Sequence, residues 1–347
     1  MNKLAVVLIT KNQAWNIERL IESVLRSTAG VASSEVWLVD SASTDCTVEL
    51  AKQYPVNILR LRPDLPLTPA AGRYVGYSYS QSQYVLFLDG DMELYPDWLE
   101  GAFHTMEDDS TVGAVTGDVI DCPIPAAEFR GPLKRTGNGE AMEVDRCGGA
   151  AMYRHAALEQ TGTFNPYLCS DEEPELCLRL RCAGYRIIQL RHAIVNHYTE
   201  ADNTLSGVMS RRRRRFYVGA GQVLRYHFGT ILCWLYIKER GFAFIPAFAL
   251  IAGIISLAWS AVIGQWSWFG YWCLMVIIVV VGDGVRKRSI YQTTVSLVKR
   301  LFIIEGTMIG LLKQSLSPKD YSVALDLIIK KKGNPRDSNR SQEARVG

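Results

Sequence analysis

The chain has 347 residues, room for one large domain or two modest ones, and 48% of them are hydrophobic. A formal net charge of +3 is too small to argue for nucleic acid as a partner. The eight cysteines show neither a CxxC pair nor metal-ligand spacing and read as small buried hydrophobes in a reducing compartment.

In chain order, the opening MNKLAVVLITKN is too short for a secretory signal and has no cleavage site, so the first domain is expected in the cytoplasm. Residues 4–10 are a continuous aliphatic and β-branched run, as in a strand buried on both faces. Ile17, Leu20, Ile21, Val24 and Leu25 then follow helical spacing over residues 16–26. Strands are predicted at 35–40, 57–62 and 84–89, with helices at 47–53 and 68–80. This alternation predicts an α/β, doubly wound, mostly parallel sheet with right-handed crossovers. Ligands bind beyond the carboxyl ends of such strands. Those ends carry Thr10, Lys11 and Asn12, then Asp40, then Asp89 and Asp91, which are expected to share one crevice.

After 112–119 the pattern becomes irregular through 139, broken by Pro123, Pro125 and Pro132. Residues 143–154, a helix over 172–182 and a strand over 185–190 complete a globular domain expected to span 1–210. The unbroken run Arg211 to Arg215 opens a basic, amphipathic interfacial segment, 211–240, suited to anionic headgroups or a diphosphate. Residues 241–263 and 266–282 are nearly free of charge and long enough to be transmembrane helices, together 241–283. Trp259, Trp266 and Trp268 mark the boundary, and basic residues flank the pair on both sides, as in a hairpin with both ends inside. The alternative is a buried core hairpin of a soluble domain. Residues 284–329 are expected as interfacial, amphipathic helices, and 330–347 as a disordered polar tail.

Asp89-Gly90-Asp91, directly after the YVLFL strand, is the most informative short motif. Two carboxylates separated by a glycine can hold a hard cation, with a nucleotide diphosphate completing its shell. A DxD triplet occurs in many turns, and its place after the fourth strand gives it weight. Around it, AVVLITKNQAWNIERLIESVL, VWLVDSASTDCTVELA, AAGRYVGYSYSQSQYVLFLDGDM and SDEEPELCLRLRCAGYRI together resemble the family 2 glycosyltransferases with an A-type fold, over roughly residues 3–200.

That resemblance implies a nucleotide-diphosphate sugar donor, with Mn2+ or Mg2+ as cofactor. Asp40 would contact the nucleotide base, and Arg73 would contact the donor, although Tyr74 stands where the family reads asparagine. Thr10 and Asn12 join them on the donor side. Asp89 would serve donor and metal, and Asp91 the metal. Glu173 falls where the family places its catalytic base, with glutamate in place of aspartate, and Glu172 is the alternative. Asp171, Glu172 and Glu173 also suit a helix N-terminus, with Pro174 in its first turn. His197 matches a histidine near the metal or diphosphate, or else is a packing residue. Arg212, Arg215 and Phe216 lie where processive relatives carry Gln-x-x-Arg-Trp and are candidates for acceptor or diphosphate contact. Gln222, Arg225 and Tyr226 form a second partial echo. Gly148 and Gly149, after Cys147, form either the acceptor floor or a tight packing turn.

The implied reaction is inverting transfer to a hydroxyl of a lipid-linked or glycan acceptor in cell-surface polysaccharide assembly. Membrane lipids would be partners, and the protein would be multi-pass in the inner (plasma) membrane with its catalytic domain cytoplasmic. A processive polysaccharide synthase is the nearest rival, though two spans are few for a channel. A nucleotidyltransferase would want a glycine-rich phosphate loop, which ITKNQAW lacks. A non-catalytic membrane scaffold would have no need of Asp40, Asp89 and Asp91.

Overall fold

The computed structural model describes residues 2–123, 141–199 and 204–330. Its strands are β1 (Asn2–Thr10), β2 (Ser34–Asp40), β3 (Asn57–Leu61), β4 (Ser82–Asp89), β5 (Met92–Leu94), β6 (Val112–Pro123), β7 (Met142–Glu143), β8 (Ala151–Arg154), β9 (Arg186–Thr199) and β10 (Leu325–Ile329). They join one sheet in the order β10-β3-β2-β1-β4-β8-β6-β9-β5, with β7 on β9. β1 lies between two parallel neighbours, Leu8 opposite Leu38 on one side and Leu88 on the other. Leu4, Val6 and Leu8 enter one core, and Ala5, Val7 and Ile9 the other. Both faces are covered, which is why the strand is apolar without alternation.

Helices α1 (Ile17–Thr28) and α4 (Trp98–Asp108) fill the first core, through Ile17, Leu20, Ile21 and Val24 and through Trp98, Leu99 and Phe103. The short helix α2 (Thr47–Ala51) packs beside α1. On the opposite face lie α3 (Pro69–Tyr79), α5 (His155–Thr161) and α6 (Glu172–Cys182). Thr68 caps α3 by accepting from Ala71 N at 3.0 Å, and Pro69 sits at its first position. A Cβ on Gly76 would overlap Val7, and one on Gly72 would come within 2.9 Å of Ile9 Cγ2, so glycines set how closely α3 lies on β1.

The globular part is more mixed than consecutive parallel units predict. β8 runs antiparallel to both β4 and β6, and the strand expected to end at 190 continues as β9 to Thr199, parallel to β6 through several register shifts. The sheet also takes in residues expected elsewhere. Where interfacial helices were expected as far as 329, the last five residues form β10, antiparallel on the edge of β3. Alternating burial along Leu325–Ile329 and the free edge of β3 explain the pairing. Tyr321 fixes this return: it is 4% exposed, donates to Pro66 O at 3.0 Å and packs edge-on against Tyr74 and Tyr167.

α7 (Leu205–Arg213), α8 (Gly219–Tyr226) and α9 (Ile231–Arg240) follow the sheet. Beyond a 3-10 turn come α10 (Ile245–Ile263) and α11 (Ser267–Lys287), long and apolar enough to cross a membrane, with 11% and 6% of their apolar stretches buried. They pair with each other: Trp272 Nε1 donates to Ala249 O at 3.0 Å and its ring fills the space a side chain on Gly253 would take. Charge resumes at their end, where Asp283 binds Lys287 at 2.6 Å and faces Arg286 and Arg300. α12 (Ile290–Leu312) then crosses α8 at backbone contact, Gly306 and Gly310 facing the Tyr217 and Val218 carbonyls and Gly221 facing Thr307 O. The irregular stretch expected around Pro125 and Pro132, and all of the polar tail but Lys330, lie outside the described residues.

Candidate active site

Arg73 lies among the acids at the carboxyl end of β4. Its side chain is 1% exposed on α3, one turn after the Thr68 cap. Its guanidinium reaches Glu172 at 2.8 Å, Asp89 at 2.7 Å and Glu173 at 3.0 Å. Burial opposes the positive charge, but Asp89, Glu173 and Glu172 outweigh it and raise its pKa further. On the carboxylate side burial dominates: it pushes Asp89 up to about 7 and Glu172 up to about 8 against the pull of Arg73. Three acids thus share one cation, and Glu173, with 17% of its side chain exposed against 5% for Glu172, is the more open glutamate.

The start of α6 is built to hold these acids. Asp171 takes a left-handed conformation, φ 59°, and its carboxylate accepts from Arg240 of α9. Glu175 is fully buried, bound by Arg179 at 2.8 Å and by His227 at 2.7 Å. Arg179 in turn donates to the Thr161, Gly162 and Thr163 carbonyls, closing the C-terminal end of α5. Despite burial, Arg179 and His227 hold Glu175 down to about 2. Glu175 is therefore structural.

The Asp89-Gly90-Asp91 turn is held from α1. Asn16, 1% exposed, donates its amide to the Gly90 and Met92 carbonyls, both at 3.0 Å, and Ser23 Oγ accepts from Leu94 N at 3.0 Å. Asp91 faces His197 Nε2 at 3.7 Å, and His197 Nδ1 lies 2.8 Å from Asp121. His197 stands inside β9, not after the last strand, and its contact with Asp91, reinforced by Asp121, pushes it up to about 9. Among the described residues, no three His, Cys, Asp or Glu side chains gather into a metal cage. Asp91 Oδ1, however, is a buried oxygen without a hydrogen-bond partner. One or two carboxylates, with the remaining ligands from phosphate and water, is the usual protein share of a Mg2+ site, and this donor set fits it.

Across the crevice, Asp40 has no exposed side-chain surface. It accepts from Ser43 N at 2.9 Å and from Ser43 Oγ, and lies 3.6 Å from Arg60. Burial raises its pKa against those bonds. Asn12, at φ 55°, donates its backbone N–H to Ser43 Oγ and accepts from Thr44 N, both at 2.8 Å, tying the loop after β1 to the loop after β2. Thr10 is 3% exposed with Oγ1 3.5 Å from Val39 O.

Gly149 lies against the acids: a Cβ there would overlap Asp89 Oδ2 and approach Arg73. Gly148 has open space around it, and Cys147 N donates to Cys177 Sγ at 3.2 Å, seating the loop on α6. Arg212 is not gathered into the crevice. It binds Glu305 of α12 at 2.7 and 2.5 Å and lies over the Phe302 ring at 4.8 Å. Phe216 is 49% exposed, its carbonyl accepting from Ser170 Oγ at 2.5 Å. Arg215 lines a separate cleft. Sequence reasoning missed Arg60, Arg240 and Lys313, whose chain-distant partners leave no local pattern. Ser43, in the loop after β2, offered only the Asp-x-x-Ser spacing of a turn.

Residues 5–162 match the model of glycosyl transferase family 2. That stretch is a glycosyltransferase family 2 domain. Polypeptide N-acetylgalactosaminyltransferase 6 of Homo sapiens is 31% identical over 138 residues, 38% of this chain, and the match spans only 22% of the human enzyme's length. Glycosyltransferase AglE of Haloferax volcanii is 25% identical over 229 residues, 63% of this chain and 73% of AglE. Among solved structures, the mannosyltransferase PcManGT from Pyrobaculum calidifontis, in complex with GDP-Man and Mn2+, is similar at a TM-score of 0.60 and 19% identity, covering 90% of this chain and 87% of that one. The likeness shows the A-type fold.

Proposed function

We propose that this family 2 enzyme transfers a sugar from a nucleotide-diphosphate donor to a hydroxyl of a lipid-linked or glycan acceptor, with inversion, in cell-surface polysaccharide assembly. The observation that carries the reading is Arg73, buried where Asp89, Glu172 and Glu173 meet. Glu173 takes the proton of the acceptor hydroxyl as its oxygen bonds to the anomeric carbon, and the bond to the nucleoside diphosphate breaks. Glu172, deeper and paired to Arg73, positions that cation. Asp40, with Thr10 and Asn12 beside it, forms the base end of the crevice, and Arg73 the phosphate end.

Asp91 and Asp89 would hold Mn2+ or Mg2+, with His197 beside them. The buried free oxygen of Asp91 and the Mn2+ in the structure of PcManGT support this assignment. When bound, the ion neutralises charge on the departing diphosphate. Two long apolar helices that the protein leaves uncovered support a multi-pass protein of the inner (plasma) membrane, with the basic flanks and the catalytic domain on its cytoplasmic face. Glu173→Gln should lower turnover by about two to four orders of magnitude and leave nucleotide affinity unchanged. Single-turnover transfer with a nucleotide sugar, alongside nucleotide titration, reads both, and near-normal transfer would remove Glu173 from the role of base.

A further inference from the structure

Next to the C-terminal end of α12 lies a cleft of about 480 Å3 whose lining includes Arg214, Arg215 and Lys313 and no carboxylate. Among the described residues, none of these three cations pairs with an acid; Lys313 meets only Cys169 Sγ, at 3.7 Å. Arg215 is held here at a conformational cost. α7 ends in a Schellman turn, with Phe216 N bonded to Arg211 O and Arg215 N to Arg212 O, each at 3.0 Å. Arg215 occupies its left-handed position, φ 60°, where glycine is the unstrained occupant. Gln222 braces the opposite wall, donating to Tyr167 O at 2.8 Å and accepting from Cys169 N at 3.0 Å.

Two of the segments that line the cleft run on into the carboxylate cluster. Pro69 in its wall opens the helix that carries Arg73, and Cys169 precedes Glu172 and Glu173 on the same segment. Leu316, also in the wall, follows α12, where Leu312 is 82% and Met308 54% exposed. Cations in the cleft and uncovered apolar residues on the adjoining helix match an amphiphile whose polar head carries phosphate. Resting on the glycosyl-transfer reading, we propose that this cleft seats the phosphate ester of a lipid-linked acceptor. Its hydrocarbon would leave along α12, and its reacting hydroxyl would point toward Glu173.

The test uses the full chain in zwitterionic nanodiscs and measures binding of a polyprenyl phosphate and of the matching polyprenol. Phosphatidylglycerol and inorganic pyrophosphate serve as competitors, and UDP and GDP are titrated separately. The wild type should prefer the phosphate ester to the alcohol by roughly tenfold or more, the scale of one charge-assisted contact. Arg215→Gln and Lys313→Gln should each remove most of that preference and leave nucleotide affinity intact, which also reports that the variants are folded. The proposal is overturned if the ester and the alcohol bind alike, or if the variants bind the ester as tightly as wild type does. Equal competition by phosphatidylglycerol, which would mark a general anionic-lipid seat, or by pyrophosphate overturns it too. Nucleotide affinity falling in parallel would assign these cations to the donor instead. A wild type that binds no nucleotide yet still prefers the ester would sink the glycosyl-transfer reading and leave the cleft's assignment standing.

Discussion

A single hydrogen atom on Gly149 keeps the crevice open beside Asp89 Oδ2 and the Arg73 guanidinium. Replacing it with a methyl group forces Asp89 or the loop to move, and Asp89 is already held by Arg73 at 2.7 Å. Gly149→Ala should therefore cut sugar transfer by on the order of tenfold to 100-fold. Gly148→Ala, which meets nothing within 4 Å, should stay near wild type. Steady-state kinetics of the two purified variants checks the contrast; equal losses would show that the loop matters only as backbone. The sequence offered two readings of this Cys-Gly-Gly run and no means of choosing, because the deciding neighbours lie 60 residues and more away in the chain. Asn16 shows the same limit. Its side chain positions the Asp89-Gly90-Asp91 turn across 74 and 76 residues, a separation that local spacing does not encode. Asp89 and Asp91 were legible because motif and strand end coincide.

Helix α6 was legible from end to end, with acids in its first turn and Arg179 and Arg181 in its last. What its pattern hid is the division of labour among its acids. Glu175 looks like its neighbours in sequence, yet it binds Arg179 and His227 and links α5, α6 and α8. Its carboxyl sits at about 2 in the fold against 4.5 as an ordinary glutamate. A lowered acid pKa gives stability that is full above the unfolded value and is lost as pH falls toward the folded one. The protein should thus lose on the order of 3 kcal/mol as pH drops from about 4.5 to about 2. Thermal unfolding in detergent across this range is the measurement. Glu175→Gln should be less stable at neutral pH and show a flatter acid limb; a limb as steep as wild type's would reject the assignment. β8 and β10 escaped prediction for another reason. Each pairs antiparallel with a partner far along the chain, so their short apolar runs reveal neither neighbour nor direction.

For the molecule as a whole, the parallel centre of the sheet and the apolar hairpin follow from composition and period alone, whereas the return of the chain to the sheet does not. The orientation proposed here is open to labelling with a membrane-impermeant maleimide. In vesicles with their cytoplasmic face outward, exposed Cys46 and Cys182 should react, and Gln265→Cys, in the turn between α10 and α11, should react only after detergent is added. Labelling of Gln265→Cys in sealed vesicles would place the turn on the same side as the sheet.

Strand β10 carries a consequence for how the catalytic body sits. The polypeptide leaves the sheet after β9, passes through α10 and α11, and comes back to lay β10 against β3. The body hangs from the hairpin by two stalks rather than one, so it cannot spin freely beneath it. In the membrane orientation proposed above, a mounting with two pins would present the same flank of the crevice to the bilayer at every encounter. It also delays completion of the sheet's outer edge until the hairpin has been made.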